Sequence, residues 1–200
     1  MVDTAVDGIN YTLAHASDKG VLGNPKIESM WPMCVYFRVL QAYYENTGDQ
    51  RVIDALHKHY LNFTSEEIGN WRNIVSLEGM LWVYGKTSDR KLLERCEKAW
   101  NSGTFIDLVP ETCRNDERLV MHGVTCAEEL KLPMLLYAYT GNEMYRDLAL
   151  NAEYKLTREH MLPDGVPAGA EALVGNENII NSHETCDITD YTWSLIKFLT

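Results

Sequence analysis

The sequence predicts an all-α protein built from helical hairpins. Three observations carry that reading. Apolar residues recur at a spacing of three and four almost throughout, and runs of strict alternation are short. A turn with an aromatic residue shortly before Thr-(Gly/Ser)-(Asp/Asn) occurs three times, at Thr47-Gly48-Asp49, Thr87-Ser88-Asp89 and Thr140-Gly141-Asn142. Each copy stands between two amphipathic segments, where Gly is a natural helix stop and Asp or Asn a natural cap for the next helix.

The elements follow in order. The spacing predicts a helix over 29–44, with Ser29 as its cap and Pro32 in the first turn, where a missing N–H costs little. Trp31, Val35, Val39 and Ala42 or Tyr43 keep its rhythm. After the first turn, Val52, Ile53, Leu56 and Tyr60 share a face, whereas His57 and His59 diverge and read as surface residues. Residues 73–84 carry Ile74, Leu77, Leu81 and Tyr84, and after the second turn come Leu92, Leu93, Cys96 and Trp100. Residues 124–139 precede the third turn, and Tyr145, Leu148, Ala152 and Leu156 follow it. A last helix begins near Asp187 and runs through Tyr191, Leu195 and Phe198.

The three Thr residues are 40 and 53 positions apart, so insertions separate the hairpins. They fall at 102–118 and 162–183, both rich in Gly, Pro, Asn and Asp. Long loops on a helical repeat usually carry function. The pattern holds about seven or eight helices. A closed ring of six pairs needs twelve, and at ~12 residues each plus loops that exceeds this chain. The expected architecture is an (α/α)₆ toroid-type array that is incomplete here, with residues 1–200 belonging to one catalytic domain. An open array is the alternative.

Composition narrows the function. The chain has 18 Lys+Arg against 29 Asp+Glu, a formal charge of −11. No basic stripe is present to displace phosphate counterions, so nucleic acid is excluded as a partner, and anionic membrane surfaces are disfavoured. The 46% apolar content suffices for a core. No apolar run of about 18 residues predicts a membrane span, and the start, Met1-Val2-Asp3-Thr4-Ala5, lacks a signal-peptide pattern, so a cytoplasmic location is expected. Five Cys, an odd number without C-x-x-C, read as reduced thiols.

The chemistry concentrates in 160–190. Glu171 lies in the small-residue stretch Ala168-Gly169-Ala170-Glu171-Ala172-Leu173, where a substrate can approach its carboxyl closely. A half-apolar pocket there would raise its pKa and suit a general acid. The plain alternative is an exposed loop carboxylate. Glu184 and Cys186 are two apart, so they diverge on a helix but face one side of an extended segment. If they act together, the helix must start after Cys186, with Asp187 as its cap. Thiolate plus carboxylate is half of a zinc site; a lone Cys near a helix start is otherwise core. His122 precedes Gly123-Val124-Thr125 at a helix start, with Cys126 four residues on, and reads either as a cavity-facing donor or as a core histidine bonded to a carbonyl. Trp31, Trp71, Trp82, Trp100 and Trp193 include candidates for stacking on sugars, although most aromatics at helical spacing are core. No Gly-rich phosphate loop, H-E-x-x-H or G-x-S-x-G is present.

These residues resemble a known family. Glu28-Ser29-Met30-Trp31-Pro32, Leu40-Gln41-Ala42-Tyr43-Tyr44 and Thr47-Gly48-Asp49-Gln50-Arg51-Val52 are similar to the opening helix pair of the β-L-arabinofuranosidase-type glycoside hydrolases (glycoside hydrolase family 127 and relatives). His122-Gly123-Val124 with Pro133 and Tyr137 resembles a later helix. The segment from Pro163-Asp164-Gly165 to Leu173, followed by Glu184-Thr185-Cys186, resembles the acid/base loop and the Glu-x-Cys zinc element. The matches run in family order over about residues 23 to 200.

The resemblance implies an (α/α)₆ toroid followed by β-sandwich domains. It implies Glu171 as general acid/base, Glu184 and Cys186 as two zinc ligands, and His122 as a substrate contact. Trp31 and Asn73 are the further candidate sugar contacts. In the family the nucleophile is a zinc-bound Cys in a downstream pair; this chain ends before that point, and no earlier Cys matches it. The Gly-His-Leu element of typical members is replaced by Asn73-Ile74-Val75-Ser76-Leu77, which marks a divergent member whose sugar need not be arabinofuranose. Two other readings remain open: a non-catalytic hairpin array binding a protein or glycan, and a toroid lyase or epimerase using His122 with Arg114 or Arg118.

Overall fold

The structure is a computed structural model and describes residues 2–24, 29–103, 107–169, 171–177 and 184–199. Glu28 and Ala170, which belong to the sequence motifs, lie outside the described residues. The chain is all-helical: among the described residues there is no strand, only isolated β-bridges. No described helix is long and apolar enough to cross a membrane. Two compact units form, Met1–Thr104 and Phe105–Thr200.

The first unit contains α1 (Val2–Ala14), α2 (Trp31–Thr47), α3 (Gln50–Tyr60), the short α4 (Ser65–Ile68), a 3-10 turn (Trp71–Ser76), α5 (Leu77–Thr87) and α6 (Arg90–Ser102). α2 pairs with α3, and α5 with α6, as the repeated turns predict. The expected Ser29 cap is corrected: α2 has Met30 at its cap position with no side-chain cap bond, and Ser29, one residue earlier, accepts the Trp31 N–H on its Oγ at 3.2 Å. Val52, Ile53, Leu56 and Tyr60 form the buried face of α3, and Leu92, Leu93, Cys96 and Trp100 that of α6. Each such side chain withdrawn from water contributes roughly 1.5–3 kcal/mol before entropy is counted.

The expectation that His57 and His59 are surface residues is corrected. His59 is 1% exposed, and the half-buried His57 places Nε2 2.8 Å from Asp89 Oδ2. The two rings do diverge, but the side of α3 bearing His59 is covered by the segment at Leu22, whose N–H bonds its Nδ1 at 3.1 Å. A single helix's periodicity carries no sign of a covering loop.

The three repeated turns have one construction. Gly48, Ser88 and Gly141 adopt left-handed backbone (φ 69°, 58° and 69°), and their N–H groups return to the carbonyls of Tyr44, Tyr84 and Tyr137. The preceding Thr hydroxyl donates to the carbonyl four residues back, of Tyr43, Val83 and Leu136. The same oxygen accepts the N–H of the following cap residue. Asp49, Asp89 and Asn142 then accept from the second helical N–H, each at 3.1 Å. Thr is selected because one hydroxyl satisfies a helix end and aligns the next cap.

The second unit contains α7 (Pro110–Arg114), α8 (Gly123–Glu129), α9 (Lys131–Thr140), α10 (Glu143–His160) and α11 (Thr185–Leu199). α10 packs on α9 and α7, and α11 packs on α8 and α9. The insertion near 102–118 is thus partly helical. It is fastened to α10 by the buried Lys155, whose Nζ donates to Thr112 O, Asn115 O and Asn115 Oδ1 at 2.8, 3.1 and 3.0 Å. Satisfying all three donors is what allows that ammonium to sit inside. Residues 161–177 form the other long loop, and α11 begins two residues earlier than the predicted Asp187.

Candidate functional site

The site in the second unit is assembled from three segments. His122 ends the approach to α8 and caps it with its side chain: Nδ1 accepts the Thr125 N–H at 3.1 Å. A neutral ring whose Nδ1 is an acceptor carries its proton on Nε2. That Nε2 lies 3.5 Å from Glu171 Oε2. His is an unusual cap, and its use here leaves an N–H donor aimed out of the helix end.

Glu171 is placed by backbone bonds. Its carbonyl accepts the Gly123 N–H at 3.0 Å, and the Leu173 N–H reaches Met121 O at 2.8 Å, around an antiparallel bridge between His122 and Ala172. The Glu171 side chain is 89% exposed. The half-apolar pocket expected from its small neighbours is therefore not formed around the carboxyl. Gly169 instead packs on backbone, since a Cβ there would stand 2.8 Å from Ala172 O. The small residues let the loop close on itself.

Glu184 precedes α11, and Cys186 lies in its first turn. The sequence condition that the helix start after Cys186, with Asp187 as cap, is corrected: α11 starts at Thr185. The pair still meets, with Cys186 Sγ donating to Glu184 Oε2 at 3.2 Å. Glu184 is outside the helix, so the helical angle between i and i+2 does not apply to it. Burial first, and then the adjacent Glu184 carboxylate, push the Cys186 thiol above its ordinary value. Asp187 is buried, and its carboxylate lies over Gly123, where a Cβ would come within 3.2 Å of Oδ1. Sequence reading missed that contact; Gly directly after the capping His was the available signal.

Side-chain atoms of His122, Glu171 and Glu184 all lie within 4.8 Å of one another. With Cys186, the cluster offers N, O and S donors of the kind that bind zinc. The His122 tautomer divides their roles. Its Nε2 carries a proton and lies 3.5 Å from the Glu171 carboxylate, whereas Glu184 and Cys186, 3.2 Å apart, are spaced like two ligands of one ion. The other four thiols are buried. Burial lifts Cys96 and Cys126 well above their usual range and Cys113 to about 12, which suppresses their thiolates. Cys126, four residues after His122, is therefore core. Arg114 pairs with Glu111 and Arg118 with Glu177, so both guanidinium groups already face carboxylates.

Trp31 and Asn73 belong to the first unit. Asn73 Oδ1 accepts from Met30 N and Ser29 Oγ at 2.9 and 3.1 Å, and Nδ2 donates to Glu67 O. Asn73 thereby fixes the start of α2, while also lining a cleft of about 950 Å³ with Leu22, Ser29, His59 and Phe63. Trp31 is half-buried, with the Arg72 guanidinium 5.0 Å over its ring. Of the remaining tryptophans, Trp100 is core, Trp82 packs edge-on against Phe37 and Tyr44, Trp71 is exposed, and Trp193 is half-buried with the Lys197 ammonium 4.7 Å over its ring.

Comparison of the chain with models of known protein families gave no match, and comparison with functionally curated proteins gave none.

Proposed function

We propose that the chain carries the acid/base half of a glycoside hydrolase site on a toroid-type array of helical hairpins. The carrying observation is the convergence of His122, Glu171 and Glu184 in one unit from three separate segments, with the Cys186 thiol hydrogen-bonded to Glu184. Glu171 is the general acid/base: an exposed carboxyl on a backbone-clamped loop protonates the departing glycosidic oxygen, then takes a proton from water. His122 donates from Nε2 to the substrate and keeps the Glu171 carboxylate oriented. Trp31 and Asn73 are proposed as sugar contacts in the first unit. Glu184 and Cys186 hold zinc, which when bound supplies positive charge that stabilises thiolate ligands. The buried Cys34, Cys96, Cys113 and Cys126 are not nucleophiles on this reading. The substrate is a carbohydrate, a β-L-arabinofuranoside or a related glycoside. The engaged state of Arg114 and Arg118 disfavours the lyase alternative, which needs free cations for an acidic sugar.

The test is hydrolysis, by the full-length protein that supplies the Cys nucleophile, of a panel of glycosides with alkyl or sugar leaving groups, which need protonation to depart. Glu171→Gln should lower kcat by at least about a hundredfold, the usual scale of general acid/base loss, with an unchanged circular dichroism spectrum. Retained turnover would remove Glu171 from the role. Independently, Glu184→Ala and Cys186→Ser should each reduce zinc content by elemental analysis; full occupancy in both would remove the zinc assignment.

A further inference from the structure

The loop carrying Glu171 has a second anchor that the proposed chemistry does not use. His160 is the last residue of α10 and is fully buried. Its backbone carbonyl accepts the Ala168 N–H at 2.7 Å. Its ring contacts the Val174 carbonyl through Nδ1 at 2.7 Å, and because a carbonyl only accepts, Nδ1 carries the proton. Ala168 and Val174 are also bonded to each other, Val174 N–H to Ala168 O at 2.9 Å. One residue therefore grips both stems of the loop that displays Glu171. The neighbouring carbonyls at the end of α10 join in: Asn176 donates from N to Glu159 O and from Nδ2 to Arg158 O. On the opposite flank the loop is held by the first residue of α8, through Gly123 N–H to Glu171 O, and by the segment just before that helix, through Leu173 N–H to Met121 O.

We infer that His160 is a positioning residue for Glu171: it locks the neck of the acid/base loop to the end of α10, so that the loop's outer edge registers against His122 and Gly123. This rests on the assignment of Glu171 as acid/base. His160 touches no reacting atom, and its action is confined to where the Glu171 backbone stands. Histidine suits the task because both ends of the residue are used. Its carbonyl ends a helix and needs a donor, while its short rigid ring carries an N–H back across the neck. The far nitrogen, Nε2, has no hydrogen-bond partner among the described residues and is sealed from solvent, so the ring is a neutral strut and not a proton relay. A leucine fills similar space without the N–H. An asparagine places Nδ2 where Nδ1 lies and restores the donor.

The experiment compares the full-length protein with its H160L, H160N and E171Q variants by amide hydrogen exchange and by turnover of the alkyl or sugar glycoside that the wild type hydrolyses best. In H160L, the amides of Gly123, Ala168, Leu173 and Val174 should exchange about tenfold faster, the scale of one lost buried hydrogen bond. Amides in the middle of α9 and α10 should be unchanged. kcat should fall at least about tenfold with KM changed less than about threefold, and H160N should restore most of both losses, as expected for a hydrogen bond that sets geometry rather than binding. E171Q should lower kcat at least about a hundredfold and leave exchange at the four amides as in wild type. Faster exchange throughout H160L, or no change at the four amides, overturns the anchor. Local loosening with kcat intact, while E171Q is impaired, overturns the link to Glu171. Full turnover in E171Q overturns the acid/base assignment itself, and the exchange data then show separately whether the clamp exists.

Discussion

Three histidines do different work because their ring nitrogens meet different partners. His122 accepts at Nδ1 and presents a donor at Nε2; His160 donates at Nδ1 and seals Nε2. His59 accepts the Leu22 N–H at Nδ1 inside the first unit, and burial lowers its pKa from 6.5 to about 4. A proton on Nδ1 would place a buried charge and a second donor against that N–H. The unfolded chain takes up this proton below pH 6.5 and the folded chain only near 4. The stabilising contribution is thus complete above 6.5 and is lost as pH falls from 6.5 to 4, by up to about 3 kcal/mol. Urea unfolding measured across that window should show this decline, and His59→Gln should flatten it. An equal slope in the variant would assign the decline to another group.

At the scale of elements, the Thr-(Gly/Ser)-(Asp/Asn) turns are the structural unit. The second copy departs from the other two by placing Ser88 at φ 58°. A side chain in left-handed backbone carries a penalty that glycine avoids. Ser88→Gly should raise stability by about 0.5–1 kcal/mol, and Asp89→Ala, which removes the adjacent cap, should lower it by about 1 kcal/mol. Thermal melts of the two variants should move in opposite directions. A fall in both would mean that the Ser88 hydroxyl holds the turn together. These hairpins were legible because Thr47, Thr87 and Thr140 repeat with their caps. The short α4 and α7 were not, since four or five residues show less than two turns of periodicity. α1 was also missed: Val2–Ala14 has neither a cap motif nor one of the repeated turns to announce it.

At the scale of the molecule, each unit has its own core, and the thiols report on both. Cys34 and Cys96 are buried in the first unit, Cys113 and Cys126 in the second, and Cys186 is the half-buried one. A native chain treated with a thiol reagent should react at Cys186 before any other thiol, because it alone is not buried, and all five should react after unfolding. Added zinc should slow the native reaction. Rapid native labelling of a second thiol would show that one of the cores is open. The charge of −11 adds a global term: folded stability should rise between low and physiological salt as self-repulsion is screened.

The sequence by itself determined the helical hairpins, their turns and the apolar faces, because periodicity, caps and stops act within a few residues. It also marked Glu171, Glu184, Cys186 and His122 as the residues to watch. Tertiary structure decided what those residues meet. His59 became core because a loop some 37 positions away covers it. Glu184 reaches Cys186 because α11 begins between them, a boundary set by packing on α8 and α9. Glu171 stands exposed beside His122 because backbone bonds from two different helix ends hold its loop. Such contacts join residues tens of positions apart, and no local pattern encodes which of the available partners a buried polar group will find.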